Sequence, residues 1–189
     1  MYHYCLITDK NYINSTIYLI NKILSKNIHV LCLDDFTENF FNENFKDLTI
    51  FKLNDVEKRY NLSEIKKNRS KRSYVFTLKS FFLDYIREFI KENEYLIYLD
   101  SDLYFFSNNK AFEENLTESA VHISPHNFDY KNHNRQIYGE YNAGVIVFKK
   151  NNEGKKVLDW WKNKCFENCS LSVSKEIYSD QKYLNSFKR

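Results

Sequence analysis

Apolar residues along this chain fall into two alternating rhythms. His3–Thr8, Ile28–Leu33 and Leu48–Leu53 are short apolar runs of strand length, the first ending at Asp9 and the second at Asp34-Asp35. Between them, Ile13, Ile17, Ile20 and Leu24 recur at the spacing of one helix face, and so do Phe36, Phe40, Phe41 and Phe45. This alternation predicts an α/β fold with a mostly parallel central sheet flanked by helices. A polar connection follows from about Asp55 to Arg72 and closes on the basic cluster Lys66-Lys-Asn-Arg69-Ser-Lys-Arg72. Ser73 is the expected N-cap of a helix whose stripe is Leu78, Phe81, Phe82, Tyr85, Ile86, Phe89 and Ile90. Further strands are predicted at Ser119–Ser124 and Gly144–Lys149, separated by a polar stretch, Pro125–Glu140, that reads as a mobile loop. Val157, Leu158, Trp161 and Cys165 predict another helix, and Ser179-Asp180-Gln181 opens a last helical piece. With no repeat and no linker, residues 1–189 read as one domain.

Within this pattern, Tyr95-Leu-Ile-Tyr-Leu-Asp100-Ser101-Asp102-Leu-Tyr-Phe-Phe106 stands out. Its continuous apolar approach predicts a strand buried on both faces in the middle of a parallel sheet. Acids at the carboxyl end of such a strand sit where open α/β sheets bind ligands. Unpaired burial would be costly, so a cation is expected between them. Alternate residues of a strand point to opposite faces, so two acids sharing one ion also require a bend. Hard oxygen ligands suit Mn²⁺ or Mg²⁺, which retain open positions for phosphate oxygens. The plainer alternative is that Asp100 and Asp102 end a strand and cap a turn.

Composition narrows the classes. Hydrophobic residues at 43% and charged residues at 28% describe a globular chain. A net charge of +3 is too small to argue for nucleic acid. No apolar run reaches membrane-spanning length and the start lacks a signal-peptide layout, so a cytoplasmic location is expected, with peripheral attachment at the inner membrane surface as an extension. Cys5, Cys32, Cys165 and Cys169 are then reduced thiols, and Cys165 with Cys169 reads as core packing rather than half of a zinc site. Only Gly139, Gly144 and Gly154 occur, which excludes both a Walker loop and a G-x-G-x-x-G fingerprint. Phosphate would have to be held by a metal, by side chains or by a helix N-terminus.

Tyr98-Leu-Asp-Ser-Asp-Leu-Tyr-Phe-Phe-Ser107 resembles the D-x-D element of GT-A nucleotide-sugar glycosyltransferases. More narrowly, it is similar to bacterial nucleotide-diphospho-sugar transferases related to glycosyltransferase family 8. Tyr4–Asp9 with Tyr12, Lys66–Ser70, Tyr141–Phe148, Val157–Trp161 and Asp180–Leu184 match the same family in order, covering nearly the whole chain. The resemblance implies that Asp100 and Asp102 hold the metal and, through it, a donor diphosphate, with Ser101 between them. Thr8, Asp9 and Tyr12 would lie against the nucleoside. Arg69 and Lys79 would approach the phosphates or the acids. Asn142, Ala143 and Gly144 would admit the donor sugar, and Asp180 and Gln181 would face the reacting carbon. The implied partners are a UDP-sugar donor and a glycan or lipid-linked acceptor, in surface-polysaccharide assembly, with retention of configuration as in family 8.

Plainer roles stand beside these. Thr8 and Asp9 can start a helix, Asp180 can be an N-cap, Lys66–Arg72 can be a solvated loop, and Gly144 can ease strand entry. Trp160 and Trp161 read as surface and core packing; His126 and His133 are alternative metal ligands in the polar loop. In family-8 relatives a later segment brings a His near a Gly to the metal. The chain here ends at Phe187-Lys-Arg189, so the domain is expected to lack that segment and to offer two motif ligands. A non-catalytic sugar-nucleotide binder and a D-x-D phosphohydrolase are the rival readings.

Overall fold

In the computed structural model, residues 1–187 are described. Strands β1 (Tyr2–Thr8), β2 (Ile28–Cys32), β3 (Leu48–Lys52), β4 (Tyr95–Asp100), β5 (Val121–Pro125) and β6 (Tyr141–Lys149) form one sheet in the order β3-β2-β1-β4-β6-β5. The first four strands run parallel. β6 runs antiparallel to β4, and β5 antiparallel to β6. Helices α1 (Ile13–Ile20), α2 (Asp35–Asn44), α3 (Leu53–Tyr60), α4 (Ser63–Asn68), α5 (Lys71–Arg87), α6 (Lys110–Glu114) and α7 (Asn152–Glu167) complete the α/β architecture.

The period of two along each strand divides the core. Cys5, Ile7, Leu96 and Tyr98 face the layer of α5 and α7, whereas Tyr4, Leu6, Ile97 and Leu99 face α1 and α2. β4 is therefore buried on both faces, as expected. It lies between a parallel and an antiparallel neighbour instead of inside a purely parallel set.

Several boundaries differ from the sequence reading. The polar connection is helical: α3 closes on Asn61 in the left-handed region (φ 53°), and α4 follows. Their few apolar residues include Val56 and Ile65, too sparse for a visible stripe, although Val56 is wholly buried. Ser70, not Ser73, caps α5 by accepting from the Ser73 amide at 3.3 Å; Ser73 is inside the helix and donates to the Cys169 carbonyl at 2.7 Å. α1 stops at Ile20, leaving Leu24 exposed with its amide on Asn109 Oδ1 at 2.8 Å. β6 begins at Tyr141, so Asn142-Ala143-Gly144 is strand. The stretch expected to be a loop carries a 3₁₀ helix at Tyr130–Tyr138, capped by Asp129, and a second 3₁₀ helix spans Lys182–Ser186. Trp161 is fully buried and Trp160 half-exposed; Cys165 and Cys169 are buried free thiols.

Candidate active site

β1 and β4 pair in parallel with Ile7 opposite Asp100, so their carboxyl ends open on the same edge. Beyond them lies a cleft of about 510 Å³ whose lining includes Thr8, Asp9, Tyr12, Lys71, Arg72, Lys79, Asp100, Ser101 and Asp102. It sits where an open α/β sheet is expected to bind its ligand.

The bend required for the acidic pair is present. The Leu103 amide donates to the Asp100 carbonyl at 3.1 Å, closing a turn immediately after β4. Ser101 Oγ donates to the Ile7 carbonyl at 2.5 Å and fastens that turn to β1, so its hydroxyl serves the backbone. Asp100 then stands at the cleft floor with its side chain 34% exposed, and Asp102 is exposed on the cleft wall.

On the β1 side, Asp9 Oδ1 accepts from the Asn11 amide at 3.0 Å and Oδ2 pairs with Lys71 Nζ at 2.9 Å. Thr8 is buried and shares a 2.8 Å hydrogen bond with Thr16. Tyr12, 46% exposed, presents its ring at the rim.

The opposite wall is the first half of α5, which carries Lys71, Arg72 and Lys79. Lys79 is 3% exposed, with Nζ 2.9 Å from Asp100 Oδ1, 3.3 Å from Asp180 Oδ2 and 3.3 Å from the Ala143 carbonyl. The contact with Asp180 is an ion pair without hydrogen-bond geometry, and Asp180 Oδ2 has no hydrogen-bond partner; Oδ1 accepts from Ser179 at 2.7 Å. Burial alone would lower the Lys79 ammonium, but Asp180 and Asp100 outweigh it and hold the group above the ordinary lysine range. Burial raises the Asp180 carboxyl, and Lys79 only partly offsets this. Tyr98 is also raised, first by burial and then by Asp100, to which its hydroxyl donates at 2.9 Å.

These charges test whether a divalent cation fits. One buried ammonium faces two carboxylates, Asp100 and Asp180, which leaves one negative charge uncompensated at the floor. Asp102 adds a further acid at the wall of a cleft that Arg72 also lines. Among the described residues no group of three or more His, Cys, Asp or Glu side chains is placed to hold a metal. A Mg²⁺- or Mn²⁺-type site needs no such cage, because these ions commonly use one or two carboxylates and fill the rest with water and phosphate oxygens. The donor set, hard oxygens in which the four acids Asp9, Asp100, Asp102 and Asp180 exceed the cations Lys71, Arg72 and Lys79 by one, fits.

Six expected residues, Arg69, Asn142, Ala143, Gly144, Asp180 and Gln181, are not among those lining the cleft, and Asp180 is buried beneath Lys79. Arg69 is turned away from the cleft: it donates to the Cys165 carbonyl at 2.7 Å, the Phe166 carbonyl at 2.6 Å and the Thr77 hydroxyl. The orphan carbonyls at the end of α7 attract it, as helix C-termini attract cations. Gln181 directs Nε2 to the Tyr138 carbonyl at 3.1 Å and does not line the cleft. Ser179, at φ 56°, turns the backbone just before Asp180. Asn142 is exposed, and its Oδ1 accepts from the Gly144 amide at 2.6 Å. The close approach at Gly144 is real, since an added β-carbon would stand 2.9 Å from Asn142 Oδ1 and 3.1 Å from Asp100 Oδ2. Residue type alone singles out neither Lys71 nor Arg72 within the basic cluster; the Ser70 cap puts both in the first turn of α5.

Among the described residues no helix is long and apolar enough to cross a membrane. Two proteins of Bacillus subtilis (strain 168) are similar over nearly the whole chain. YfnF is 26% identical over 96% of this chain and 64% of its own, and YfnD 25% identical over 98% and 62%; both are described as uncharacterized. The chain thus spans under two thirds of the length of these relatives. The apo-form crystal structure of the glycosyltransferase GlyE of Streptococcus pneumoniae TIGR4 superposes with a TM-score of 0.57 at 14% identity, covering 100% of this chain and 43% of GlyE, which shows a shared fold. Residues 23–189 match the nucleotide-diphospho-sugar transferase family, and the chain belongs to that family.

Proposed function

We propose that this protein is a metal-dependent glycosyltransferase that moves a sugar from a nucleoside diphosphate, UDP by preference, to a hydroxyl of a glycan or lipid-linked acceptor. The observation that carries the reading is the joining of Asp100, Asp102, Lys71, Arg72 and Lys79 around one cleft at the carboxyl edge of the sheet. Thr8, Asp9 and Tyr12 form the end suited to the nucleoside, with the Tyr12 ring available for stacking on the base. Lys71 and Arg72 supply charge for the diphosphate, the role expected of Arg69. Asp100 and Asp102 hold Mn²⁺ or Mg²⁺, and a bound ion supplies Lewis-acid stabilisation of the departing diphosphate. In the transfer, the bond from the anomeric carbon to the phosphate oxygen breaks and a bond to the acceptor oxygen forms. The acceptor proton leaves to a base or to the departing phosphate, and Lys79 steadies negative charge at the floor. Four buried unpaired thiols agree with work in the cytoplasm.

Calorimetry with UDP, with and without Mn²⁺, and turnover of UDP-sugars test this. UDP binding that needs the metal, and loss of turnover by ~100-fold or more in Asp102→Asn or under chelation, is the expected result. Turnover indifferent to both overturns the metal, and absence of UDP binding overturns the donor. Binding without hydrolysis or transfer makes the chain a sugar-nucleotide binder only.

A further inference from the structure

Tyr98 lies two residues before Asp100 on β4 and therefore on the same face of the strand. Its ring is buried, 2% exposed, in the core beneath α5, and Lys79 Nζ sits 5.0 Å from the ring centroid. The hydroxyl donates to Asp100 Oδ1 at 2.9 Å, and Lys79 Nζ stands 2.9 Å from the same atom. One carboxylate oxygen is thus engaged twice, by the tyrosine hydrogen bond and by the lysine ion pair. The other, Oδ2, is turned to the strand β6 side, within 3.1 Å of where a β-carbon on Gly144 would stand. Turning Oδ1 away would strand the buried Tyr98 hydroxyl and the buried Lys79 ammonium, and unmade contacts of buried polar groups are costly. A phenylalanine would fill the same core volume without a polar atom to satisfy. The hydroxyl is used on Asp100.

We infer that Tyr98 is a positioning residue for cation binding: with Lys79 it occupies Asp100 Oδ1 and leaves Oδ2 as the single oxygen offered to the metal. This rests on the reading of the cleft as a metal site. A one-oxygen carboxylate suits an ion that demands compact octahedral geometry, such as Mg²⁺ or Mn²⁺. It disfavours Ca²⁺, which gathers more oxygens and commonly takes a carboxylate through both. Tyr98 therefore sets which cation the cleft accepts as well as how tightly.

The test is Mn²⁺ titration of the whole chain, followed by the electron paramagnetic resonance signal of free Mn²⁺, alone and with UDP, and repeated with competing Ca²⁺. Tyr98→Phe is expected to weaken Mn²⁺ by ~10-fold, the cost typical of losing an outer-shell partner, and to narrow the preference for Mn²⁺ over Ca²⁺. In an Asp100→Asn background the same substitution should change nothing, because Tyr98 acts through Asp100. Unchanged affinity and ion preference in Tyr98→Phe, or an equal loss in both backgrounds, overturns the assignment. If Tyr98→Phe does not fold, infrared difference spectra of wild-type protein carrying ¹³C-labelled aspartate decide the matter. A one-oxygen carboxylate signature on Mn²⁺ binding supports the inference, and a two-oxygen signature overturns it. Wild-type protein that binds no Mn²⁺, with or without UDP, instead removes the metal reading itself.

Discussion

Arg69 Nη2 donates to the carbonyl of Phe166 at 2.6 Å, joining the turn before α5 to the last turn of α7. That guanidinium belongs to the packing of two helices, whereas Arg72, three residues on, lines the cleft. Arg69→Ala should therefore lower the unfolding free energy by ~2 kcal/mol, read from urea denaturation, and leave UDP affinity intact. Arg72→Ala should do the reverse. A loss of UDP affinity in Arg69→Ala at unchanged stability would return Arg69 to the cleft.

Lys79 balances two acids, and it and Asp180 have almost no exposure. Lys79→Met should destabilise by ~3–5 kcal/mol because it strands buried negative charge. Adding Asp180→Leu should recover a large part of that loss, since the buried acid goes with its partner. Urea melts of the single and double variants measure both. A single variant as stable as wild type would mean that water reaches the floor and screens the acids.

Two glycines separate site chemistry from folding. An added β-carbon at Gly144 meets Asn142 Oδ1 at 2.9 Å and Asp100 Oδ2 at 3.1 Å, the ends of side chains. Gly144→Ala should cost ~10-fold in Mn²⁺ affinity with little change in melting temperature. At Gly154 the β-carbon would stand 2.1 Å from the Lys149 carbonyl and 3.2 Å from the Ala120 carbonyl, both backbone. Gly154→Ala should lower stability by ~3 kcal/mol, and metal affinity should hold in whatever fraction remains folded.

Stability should depend on pH through the opposite end of the sheet. His3 Nδ1 lies 3.0 Å from His29 Nε2, and His3 Nε2 lies 3.0 Å from Glu94 Oε2. Burial first, and His3 second, pull His29 from 6.5 to about 4. His3 is lowered too, by burial against the opposing pull of Glu94. Between those values the unfolded chain binds more protons than the folded one, so stability falls as pH drops from 6.5 toward 4. Glu94, lowered chiefly by the Lys91 amide, acts in the same direction at more acid pH. The melting temperature should hold steady above about pH 7, fall through this window, and flatten in His29→Gln. An unchanged melting temperature between about pH 7 and 4 contradicts this account.

The mostly parallel sheet was legible because its strands are apolar runs alternating with helices, whereas the order that sets antiparallel β6 between β4 and β5 carries no such signal. β4 announced itself by five uninterrupted apolar residues ahead of two acids. The cleft was legible only at the strand ends. Which members of Lys66–Arg72 face it depends on where α5 begins, and Ser70 and Ser73 are equally good caps by residue type. Lys79 carried a signal of its own, a cation flanked by Leu78, Ser80 and Phe81 on the buried side of a helix. Its partner Asp180 is brought in by a turn that no periodicity marks. Gln181 could not be separated from Asp180 by pattern, because their partners, Lys79 and the Tyr138 carbonyl, are distant in the chain.

The meeting of Asp100, Lys79 and Asp180 has a temporal side during synthesis. Asp100 and Lys79 leave the ribosome within one short stretch and can pair as soon as β4 docks on α5. Asp180 emerges far later, with β5, β6 and α7 between them. Until then, a lysine destined for deep enclosure has half its counter-charge. The cleft floor is therefore a closure step, completed only once the far end of the fold is laid down, and any shortened translation product lacking Asp180 would carry an unfinished one.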